Sequence, residues 1–434
     1  MTSIVEGRSL VPSEEAMELF NRHSGSLNIV IISHLQGAID QVILRKSLDL
    51  LQSHYPCLNW RIAGSLNNLR FTQEGTKQIP LRVVDETSYR YWQDVVTEEL
   101  NTKTASEECL IRYTLWQNHQ ETDSYYLITT IHHCIADGLS SLKLQVELLE
   151  IYKKIALGKP FNANQNSLGF PNITDLLPKY MQGYGGFLRS ALFLLKLKLK
   201  TLWVQPESLK SEVKVPPQLR SCIMTQRCLN PVLTKKLVKL SKKNQATVQG
   251  ALCSAMSMAT AKKISQGEKR NIKVSCQSYV DLRSRAEPVI PINAMGILVS
   301  FINSWHTLTP HKSFWELAQE INREIKLALS KQDYFKPLRL INKACAYYLY
   351  NLDGLYLTTS ITNVGKLNVP QQYGNLELKA ISFLPSNVVF GRVITLAVTT
   401  FQDKMLLNFV ASQPSISQET LETLAEDVIQ ILTM

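Results

Sequence analysis

The chain has 434 residues, of which 45% are apolar and 19% charged, with 18 glycines and 17 prolines. This composition is typical of a folded globular protein and excludes a disordered, collagen-like or disulfide-scaffold chain. The 47 lysines and arginines exceed the 36 aspartates and glutamates, which gives a net charge of +11. A basic excess favours an anionic partner, and nucleic acid, phospholipid, a phosphorylated cofactor and an acidic carrier protein all fit that description.

Cysteine usage and the N-terminus indicate the compartment. The eight cysteines are scattered, without a C-x-x-C pair or zinc-finger histidine spacing, so we expect reduced core residues and a cytoplasmic protein. The N-terminal stretch is charged by Glu6 and lacks the apolar segment that a signal peptide needs. The most apolar segment, 191–195, lies between Arg189 and Lys196, so no membrane-spanning helix is expected.

The first half alternates strand and helix patterns. The stretch LNIVIISHLQG is rich in β-branched residues and predicts a strand. In the following stretch, Val42, Leu44, Leu48 and Leu51 predict the apolar stripe of a helix that ends at Pro56. Further strands are predicted over 58–62, 69–72 and 125–131, and a helix is predicted over about 140–156.

Asn, Gly, Pro and Lys accumulate over 161–217, where we place the domain connection. The predicted organisation is an N-terminal lobe over 1–175, a connecting segment over 176–217 and a C-terminal lobe over 218–434.

The second half shows the same mixture of elements. An Asn-Pro pair predicts the start of a helix at 231, the apolar segment 247–263 predicts a buried helix, and Ser313 with Glu316 forms a capping-box pattern. Strands are predicted over 272–282, 355–362, 376–384, 394–401 and 405–412, with a closing helix from Gln418. Strands and helices in comparable proportion predict an α/β fold, of the two-layer α+β type, in both halves.

The most informative string is IHHCIADGLSS. It places His132 and His133 at the end of an apolar strand, with Asp137 and Gly138 four and five residues after the second histidine. Neighbouring strand residues face opposite ways, so only one histidine can point into a given cavity and the other must pack or hydrogen-bond structurally. Gly138 allows a turn with positive φ, and Ser140 offers a cap to the next helix. The string therefore predicts a strand–loop–helix corner that presents a histidine.

Three interpretations of this corner are distinguished by chemistry. A neutral imidazole, with a reference pKa of about 6.5, suits proton abstraction from an alcohol or an amine. A metal site would need a third ligand, and none has convincing spacing. A core histidine beside an incidental Asp-Gly turn would not need Asp and Gly at a fixed distance after two adjacent histidines. We therefore favour a catalytic histidine and predict no bound metal.

The string resembles the H-H-x-x-x-D-G signature of the superfamily containing chloramphenicol acetyltransferase, nonribosomal peptide condensation domains, wax ester synthases and plant BAHD acyltransferases. The end of the early helix is similar to the pattern H-P-x-L-x-x-R, with Pro56, Leu58 and Arg61 in register. Tyr55 stands where that pattern has His, and His54 lies one place earlier, so no role is carried onto either.

The resemblance continues into the second half and covers roughly residues 8–412. The string YVDLR, ending at Arg283, is similar to the V-x-L-R strand of the family. The string SITNVG resembles the S-N-x-G region of polyketide-associated acyltransferases typified by phthiocerol dimycocerosyl transferase, with Thr362 where Ser is commoner. The plant D-F-G-W-G box is absent. The resemblance therefore favours the polyketide-associated and alcohol-acyltransferase side of the superfamily.

This resemblance implies two chloramphenicol-acetyltransferase-like lobes that form a pseudo-dimer with a tunnel between them. His133 carries over as the general base and His132 as its structural neighbour, while Asp137 is expected to pair with Arg283 as a structural ion pair. Ser360, Thr362 and Asn363 are candidates for oxyanion or acceptor contacts and are equally consistent with strand-end hydrogen bonding. No Ser-His-Asp triad or G-x-S-x-G elbow is present, so no covalent acyl-enzyme is predicted.

The implied activity is transfer of an acyl group from a thioester, either acyl-CoA or an acyl carrier protein, to a hydroxyl acceptor in natural-product or lipid biosynthesis. Coenzyme A or phosphopantetheine is then a co-substrate, and no permanently bound cofactor is expected. A free-standing condensation enzyme that forms an amide from an amine, and a non-catalytic member that only binds a carrier protein, remain open alternatives.

The segment 187–203 interleaves Phe187, Phe193 and Trp203 with basic residues. This pattern favours a peripheral membrane, lipid or acidic carrier-protein contact, and a solvated helix with snorkelling lysines is equally consistent with it. Nucleic-acid binding is not expected, because no recognition fold accompanies the charge. The protein is expected to be a monomer.

Overall fold

Two six-stranded sheets organise the chain, one in each of two compact units. The computed structural model describes residues 7–25, 27–118, 120–160, 170–350 and 357–434. The first unit consists of Met1–Leu176, Pro288–Leu298 and Asn368–Ser386, and the second of Leu177–Glu287, Val299–Leu367 and Asn387–Met434. The predicted α/β fold class with two sheet-containing lobes is confirmed.

The strands and helices are numbered in chain order. The strands are β1 (Asn28–Gln36), β2 (Arg61–Ala63), β3 (Arg70–Thr72), β4 (Leu81–Asp85), β5 (Ile111–Asn118), β6 (Ser124–His132), β7 (Ser221–Leu229), β8 (Ile272–Asp281), β9 (Val299–Leu308), β10 (Thr359–Lys366), β11 (Gln372–Tyr373), β12 (Leu376–Pro385), β13 (Ile394–Phe401) and β14 (Lys404–Gln413). The helices are α1 (Pro12–Ser24), α2 (Gln41–His54), α3 (Trp92–Asn101), α4 (Gly138–Ala156), α5 (Gly183–Val204), α6 (Pro231–Lys243), α7 (Val248–Ser265), α8 (Phe314–Ser330), α9 (Ile341–Tyr350) and α10 (Gln418–Thr433).

The sheet of the first unit has the strand order β11–β12–β1–β6–β5–β4. β1 pairs antiparallel with both β6 and β12, and its apolar run from Ile29 to Ile32 is buried. A strand that is apolar on both faces needs cover on both. α4 packs on β1 and β12 and also contacts α2, while α3 packs on β1 and β6.

α2 shows how local sequence begins a helix and selects its buried face. The Asp40 carboxylate accepts the N–H groups of Val42 and Ile43 at 2.7 and 3.0 Å, which caps the helix. Leu44, Leu48 and Leu51 are buried, as predicted. Val42 is 63% exposed, so its predicted place on the stripe is wrong. It lies two residues from Leu44, or about 200° around the helix.

The sheet of the second unit has the strand order β7–β14–β13–β10–β8–β9. β10 runs parallel to β8 and β13, and the other pairs are antiparallel. The predicted buried helix is α7, which packs on α8, α10, β8 and β10. The predicted capping box is confirmed at α8: the Ser313 hydroxyl accepts the Glu316 N–H at 3.3 Å, and the Glu316 carboxylate accepts the Ser313 N–H at 3.1 Å.

Each unit is built from three separate chain segments, whereas the lobes predicted over 1–175 and 218–434 are contiguous. The connecting segment predicted over 176–217 falls almost wholly in the second unit and contains α5, a helix of 22 residues. β12, predicted as a strand of the C-terminal lobe, lies in the first sheet, where Phe383 pairs with Ile31. Local patterns identify a strand but not its partner, which explains the difference.

Three smaller predictions also change. The strand predicted over 58–62 is a 3₁₀ helix, Pro56–Asn59, followed by the short β2. The strand predicted over 355–362 begins at Thr359, and residues 355 and 356 lie outside the described residues. All eight cysteines are free and six are buried, but Cys228 is exposed, so the predicted core position is wrong for that residue.

None of the helices in the described residues has both the length and the apolar character that a membrane crossing requires.

Candidate active site

The H-H-x-x-x-D-G string forms a strand–turn–helix corner in the first unit, as predicted. His132 is the last residue of β6, and the Ile135 N–H donates to the His132 carbonyl at 3.2 Å, which closes the turn. Asp137 is the N-cap of α4 and Gly138 is its first residue. The four motif residues therefore occupy a short length of backbone that is fixed at both ends by regular structure.

His132 is completely buried, and both ring nitrogens have close neighbours. Nδ1 accepts the backbone N–H of Cys134 at 3.1 Å, and Nε2 lies 3.0 Å from Oε2 of Glu18. Because Nδ1 accepts, the ring proton of the neutral imidazole belongs on Nε2, the nitrogen beside the carboxylate. His132 thus ties the backbone on the far side of His133 to helix α1.

Glu18 is a site residue that sequence reasoning missed. Its carboxylate also accepts Arg22 Nε at 2.7 Å and the Ser106 hydroxyl at 2.8 Å. Burial raises the pKa of Glu18, but the contacts with His132, Ser106 and Arg22 outweigh burial and lower it to about 2. Pro12 at the first helical position is a signal for α1. No local pattern indicates that Glu18 meets His132.

His133 follows the strand and begins the turn. Its backbone N–H donates to the Leu27 carbonyl at 3.3 Å, and its Nδ1 is buried. Burial lowers the pKa of His133, and the opposing effects of the backbone carbonyls of His133 and Ala136 and of the Asp137 charge are smaller. The imidazole is therefore held in its neutral form at neutral pH, which is the form that accepts a proton.

The buried Asp137 carboxylate connects the corner to a distant segment of the same unit. Oδ1 accepts the Ser140 N–H at 2.8 Å, and Oδ2 accepts the Leu298 N–H at 3.0 Å. A parallel bridge between Ala136 and Gly296 lies beside these contacts. The Ser140 hydroxyl donates to the Gly296 carbonyl at 3.3 Å. The glycine-containing segment that follows the V-x-L-R string therefore supports the corner, a role that its sequence does not reveal.

Gly138 is required for a different reason from the one predicted. Its φ lies outside the left-handed region, because it forms the first turn of α4, so the predicted positive φ is wrong. A Cβ at this position would lie 2.7 Å from Cε2 and 3.0 Å from Cδ2 of the Phe383 ring. Phe383 is itself buried on β12, so the ring has little room to move.

The other candidate residues lie in the second unit. Arg283 is buried just beyond β8, and its Nη1 donates to Asp281 Oδ1 at 2.6 Å. The expected pairing of Asp137 with Arg283 stays a prediction, as does the tunnel. Asp281 is a neighbour of Arg283 that the resemblance did not indicate.

Ser360, Thr362 and Asn363 lie on β10. The Ser360 hydroxyl is buried and lies 3.4 Å from the Tyr279 hydroxyl. Asn363 Oδ1 accepts the Gly365 N–H at 2.9 Å, which is the local strand-end hydrogen bond considered from the sequence. Thr362 is half-buried between them. Oxyanion or acceptor roles for these side chains stay predictions.

Gly138→Ala is expected to lower the free energy of unfolding by about 1–3 kcal/mol, because the new methyl group overlaps the Phe383 ring. The loss should be smaller in a Phe383→Leu background, where the ring is absent. Urea denaturation of the two single variants and the double variant measures this coupling. Gly185→Ala on α5, where a Cβ meets only the end of Arg189 at 3.4 Å, is the matched control and should not destabilise. Equal losses with and without Phe383 would show that the ring is not the obstacle.

Glu18→Gln is expected to destabilise the protein most above pH 4.5, the unfolded-state pKa. The folded pKa of Glu18 is lower, about 2, so the ionised carboxylate adds stability above the unfolded pKa, and this is lost as the pH falls towards the folded pKa. Urea titrations of the wild type and the variant from pH 7 down to pH 4 should give a difference that begins to shrink at the acid end. Glu15→Gln on the same helix is the control. A difference that does not vary with pH would contradict an ionised Glu18.

Two family models match the chain. The Condensation domain model matches residues 16–173, which include the corner. The model of the Phthiocerol/phthiodiolone dimycocerosyl transferase C-terminus matches residues 221–409, which include Arg283 and β10. Among curated proteins, bacitracin synthase 1 of Bacillus licheniformis is 23% identical over 319 residues, or 71% of this chain. The chain spans only 6% of the length of that relative.

Solved structures share the fold over nearly the whole chain. Polyketide synthase associated protein 5 from Mycobacterium tuberculosis has a TM-score of 0.69 at 16% identity, covering 98% of this chain and 97% of that one. TRI3 trichothecene 15-O-acetyltransferase from Fusarium sporotrichioides has a TM-score of 0.74 at 12% identity, covering 98% and 95%. The starter condensation domain of rhizomide synthetase, in complex with C8-CoA, has a TM-score of 0.69 at 16% identity, covering 99% and 94%. The two family matches, one in each half of the chain, and the shared fold thus make this chain similar to condensation domains and to dimycocerosyl transferases.

Proposed function

We propose that the protein transfers an acyl group from a thioester to a hydroxyl acceptor and forms an ester in natural-product or lipid biosynthesis. The observation that carries this proposal is the neutral imidazole of His133, whose pKa burial lowers, on the rigid corner between β6 and α4. The family matches over both halves of the chain support the reaction class.

In the proposed reaction, His133 accepts the hydroxyl proton as the acceptor oxygen attacks the thioester carbonyl. The tetrahedral intermediate then expels the thiolate, and the imidazolium returns the proton to the sulfur. The products are an ester and a free thiol. The thioester is already activated, so the remaining needs are orientation of the acceptor and stabilisation of the oxyanion. Ser360, Thr362 and Asn363 are proposed for oxyanion or acceptor contacts.

The proposed donor is acyl-CoA or the phosphopantetheine thioester of an acyl carrier protein, acting as co-substrate. The solved C8-CoA complex of the rhizomide synthetase starter condensation domain supports a CoA thioester. The net charge of +11 suits the phosphates of either donor. No permanently bound cofactor is proposed.

A hydroxyl acceptor is supported by the likeness to a trichothecene 15-O-acetyltransferase and by the C-terminal match to a dimycocerosyl transferase model. An amine acceptor, which would give an amide, is the second candidate. The Condensation domain match over 16–173 and the likeness to bacitracin synthase 1 favour it. The two reactions share the base and the donor and differ in the nucleophile.

Free-thiol release from a panel of acyl thioesters tests the proposal. Alcohols and amines are added in separate arms, and products are identified by mass spectrometry. Ester formation that depends on an alcohol supports the proposal. Amide formation alone would support the condensation enzyme, and no release with any donor and acceptor would favour a non-catalytic carrier-protein-binding member.

His133→Ala is expected to lower acyl transfer by about two to four orders of magnitude, the usual effect of removing a general base, with little change in the melting temperature. Thiol release under saturating donor measures the rate. His311→Ala, at an exposed histidine, is the matched control and should keep full activity. If His132→Ala lowered turnover more than His133→Ala at equal stability, the two roles would be exchanged.

The acid limb of the kcat/KM profile is expected below pH 6.5. His133 must be neutral to accept a proton, and burial lowers its pKa below the ordinary value of 6.5, so activity should persist to a lower pH than an exposed histidine would allow. Initial rates with one donor and acceptor pair from pH 5 to pH 8 measure the limb. A midpoint above pH 6.5 would contradict this assignment.

A further inference from the structure

The helix α5 leaves a row of large apolar side chains exposed. Large apolar residues that are 46–83% exposed form what we call the α5 stripe: Tyr184, Phe187, Leu188, Leu192, Leu195, Leu199, Leu202 and Trp203. Most of the stripe recurs every three or four residues, which places its members on one side of a helix.

The opposite side of α5 faces the protein and carries small, polar and apolar residues, of which Phe193, Leu194 and Leu197 are half-buried. The buried residues of the helix are Gly186 and Ser190, and Thr201 on the same side is half-buried. A Cβ at Gly186 would lie 1.8 Å from the Met181 carbonyl oxygen, so the backbone itself is in close contact there. An ordinary surface helix buries its apolar side and exposes its polar side. Because α5 is apolar on its inner side as well, the exposed stripe is additional apolar surface that the protein core does not cover, which indicates another partner.

Every charged side chain of α5 is positive. The sequence has no Asp or Glu between Asp175 and Glu207. The helix itself carries four cations, which are Arg189, Lys196, Lys198 and Lys200. In the part of the chain that the structure describes, no carboxylate lies within ion-pair distance of these four cations.

Two of the lysines rest on aromatic rings beside the helix. Lys198 Nζ lies 4.6 Å from the centroid of the Tyr347 ring and 3.2 Å from its hydroxyl. Lys200 Nζ lies 4.1 Å from the centroid of the Trp305 ring. Both contacts hold an ammonium group near the helix without neutralising it. The positive charge therefore stays available to an anionic partner.

These features match a helix that lies in the surface of an anionic membrane. Such helices combine a row of leucines and aromatic residues with flanking lysines, and bind through apolar burial plus attraction to anionic headgroups. At 22 residues, α5 is about 33 Å long and carries aromatic residues at both ends, Tyr184 and Trp203. A second copy of the chain is a poorer occupant, because it would bring the same cations against these.

We propose that α5 binds peripherally to an anionic lipid surface, with the α5 stripe in the outer acyl region and Lys196, Lys198 and Lys200 at the headgroups. The contact does not depend on acyl transfer, and its test uses no substrate. It would place the enzyme where a lipid-like acceptor or product is dissolved.

Flotation of the full chain with vesicles tests the proposal. The vesicles are phosphatidylcholine alone, or phosphatidylcholine with about 30% phosphatidylglycerol. The wild type should float with the anionic vesicles, bind the neutral ones more weakly, and lose part of its binding in 0.5 M salt, roughly a 4 Å screening length. Absence of binding to either vesicle would overturn the proposal.

Variants separate the two components of binding. L188S/L195S/L199S on the exposed stripe should weaken binding to anionic vesicles at least about tenfold, since each leucine loses apolar burial. K196Q should weaken it by up to about fivefold and reduce its salt dependence. The matched control is V232S/V238S on α6, which has exposed valines beside several lysines and should bind like the wild type. Equal effects of the α5 and α6 variants would show non-specific attraction and overturn the proposal.

Insertion has a direct optical readout. Lipids brominated on the acyl chain should quench tryptophan emission in the wild type, and Trp203→Phe should remove most of that quenching, because Trp203 is 83% exposed on the stripe. Quenching that is unchanged by Trp203→Phe would contradict insertion of α5. An acidic acyl carrier protein that binds the wild type but not L188S/L195S/L199S, without any vesicle binding, would replace lipid with a protein partner.

Discussion

The Asp137 carboxylate is the contact on which the corner depends. One oxygen begins α4 by accepting the Ser140 N–H, and the other accepts the Leu298 N–H from a segment that is distant in sequence. A buried carboxylate is stable only when hydrogen-bond donors replace the water that it loses. The same pair of contacts that satisfies this charge also fixes the turn that carries His133. The position of the candidate base is thus a consequence of satisfying a buried acid.

The opposite end of the corner depends on a second buried acid. Glu18 binds His132, whose other ring nitrogen accepts the Cys134 N–H on the far side of His133. Two carboxylates therefore hold the backbone before and after the imidazole, while the imidazole itself is kept neutral by burial. Glu18 is ionised while His133 is neutral, because the two side chains have different hydrogen-bond partners. Burial opposes the charged form of both side chains. At Glu18 the contacts with His132, Ser106 and Arg22 outweigh burial, whereas at His133 the backbone carbonyls and the Asp137 charge do not.

The first unit is completed by chain segments that come late in the sequence. β12 lies between β1 and β11 in the first sheet and supplies Phe383, whose ring occupies the space that a side chain at Gly138 would need. Segment 288–298 supplies the N–H that Asp137 binds. The corner therefore cannot reach its final geometry until residues from the second half of the chain have folded onto it. Such long-range pairings slow folding, because the loop must close before its contacts add stability.

The sequence predicted many of the helices and strands and the strand–turn–helix corner that carries His133. Capping residues, apolar periodicity and the spacing of His132, His133, Asp137 and Gly138 are local, and local patterns specify helices, strands and the turn between them. The family resemblance came from the same short strings. Tertiary structure alone decided which partners these residues meet: Glu18 for His132, Leu298 for Asp137 and Phe383 for Gly138. It also decided which apolar side chains of α5 are exposed, since a helix with apolar residues on both sides does not state in its sequence which side faces the core. Which partner a residue meets, and how far it is buried, depend on contacts with segments that are distant in sequence. No local pattern specifies those contacts.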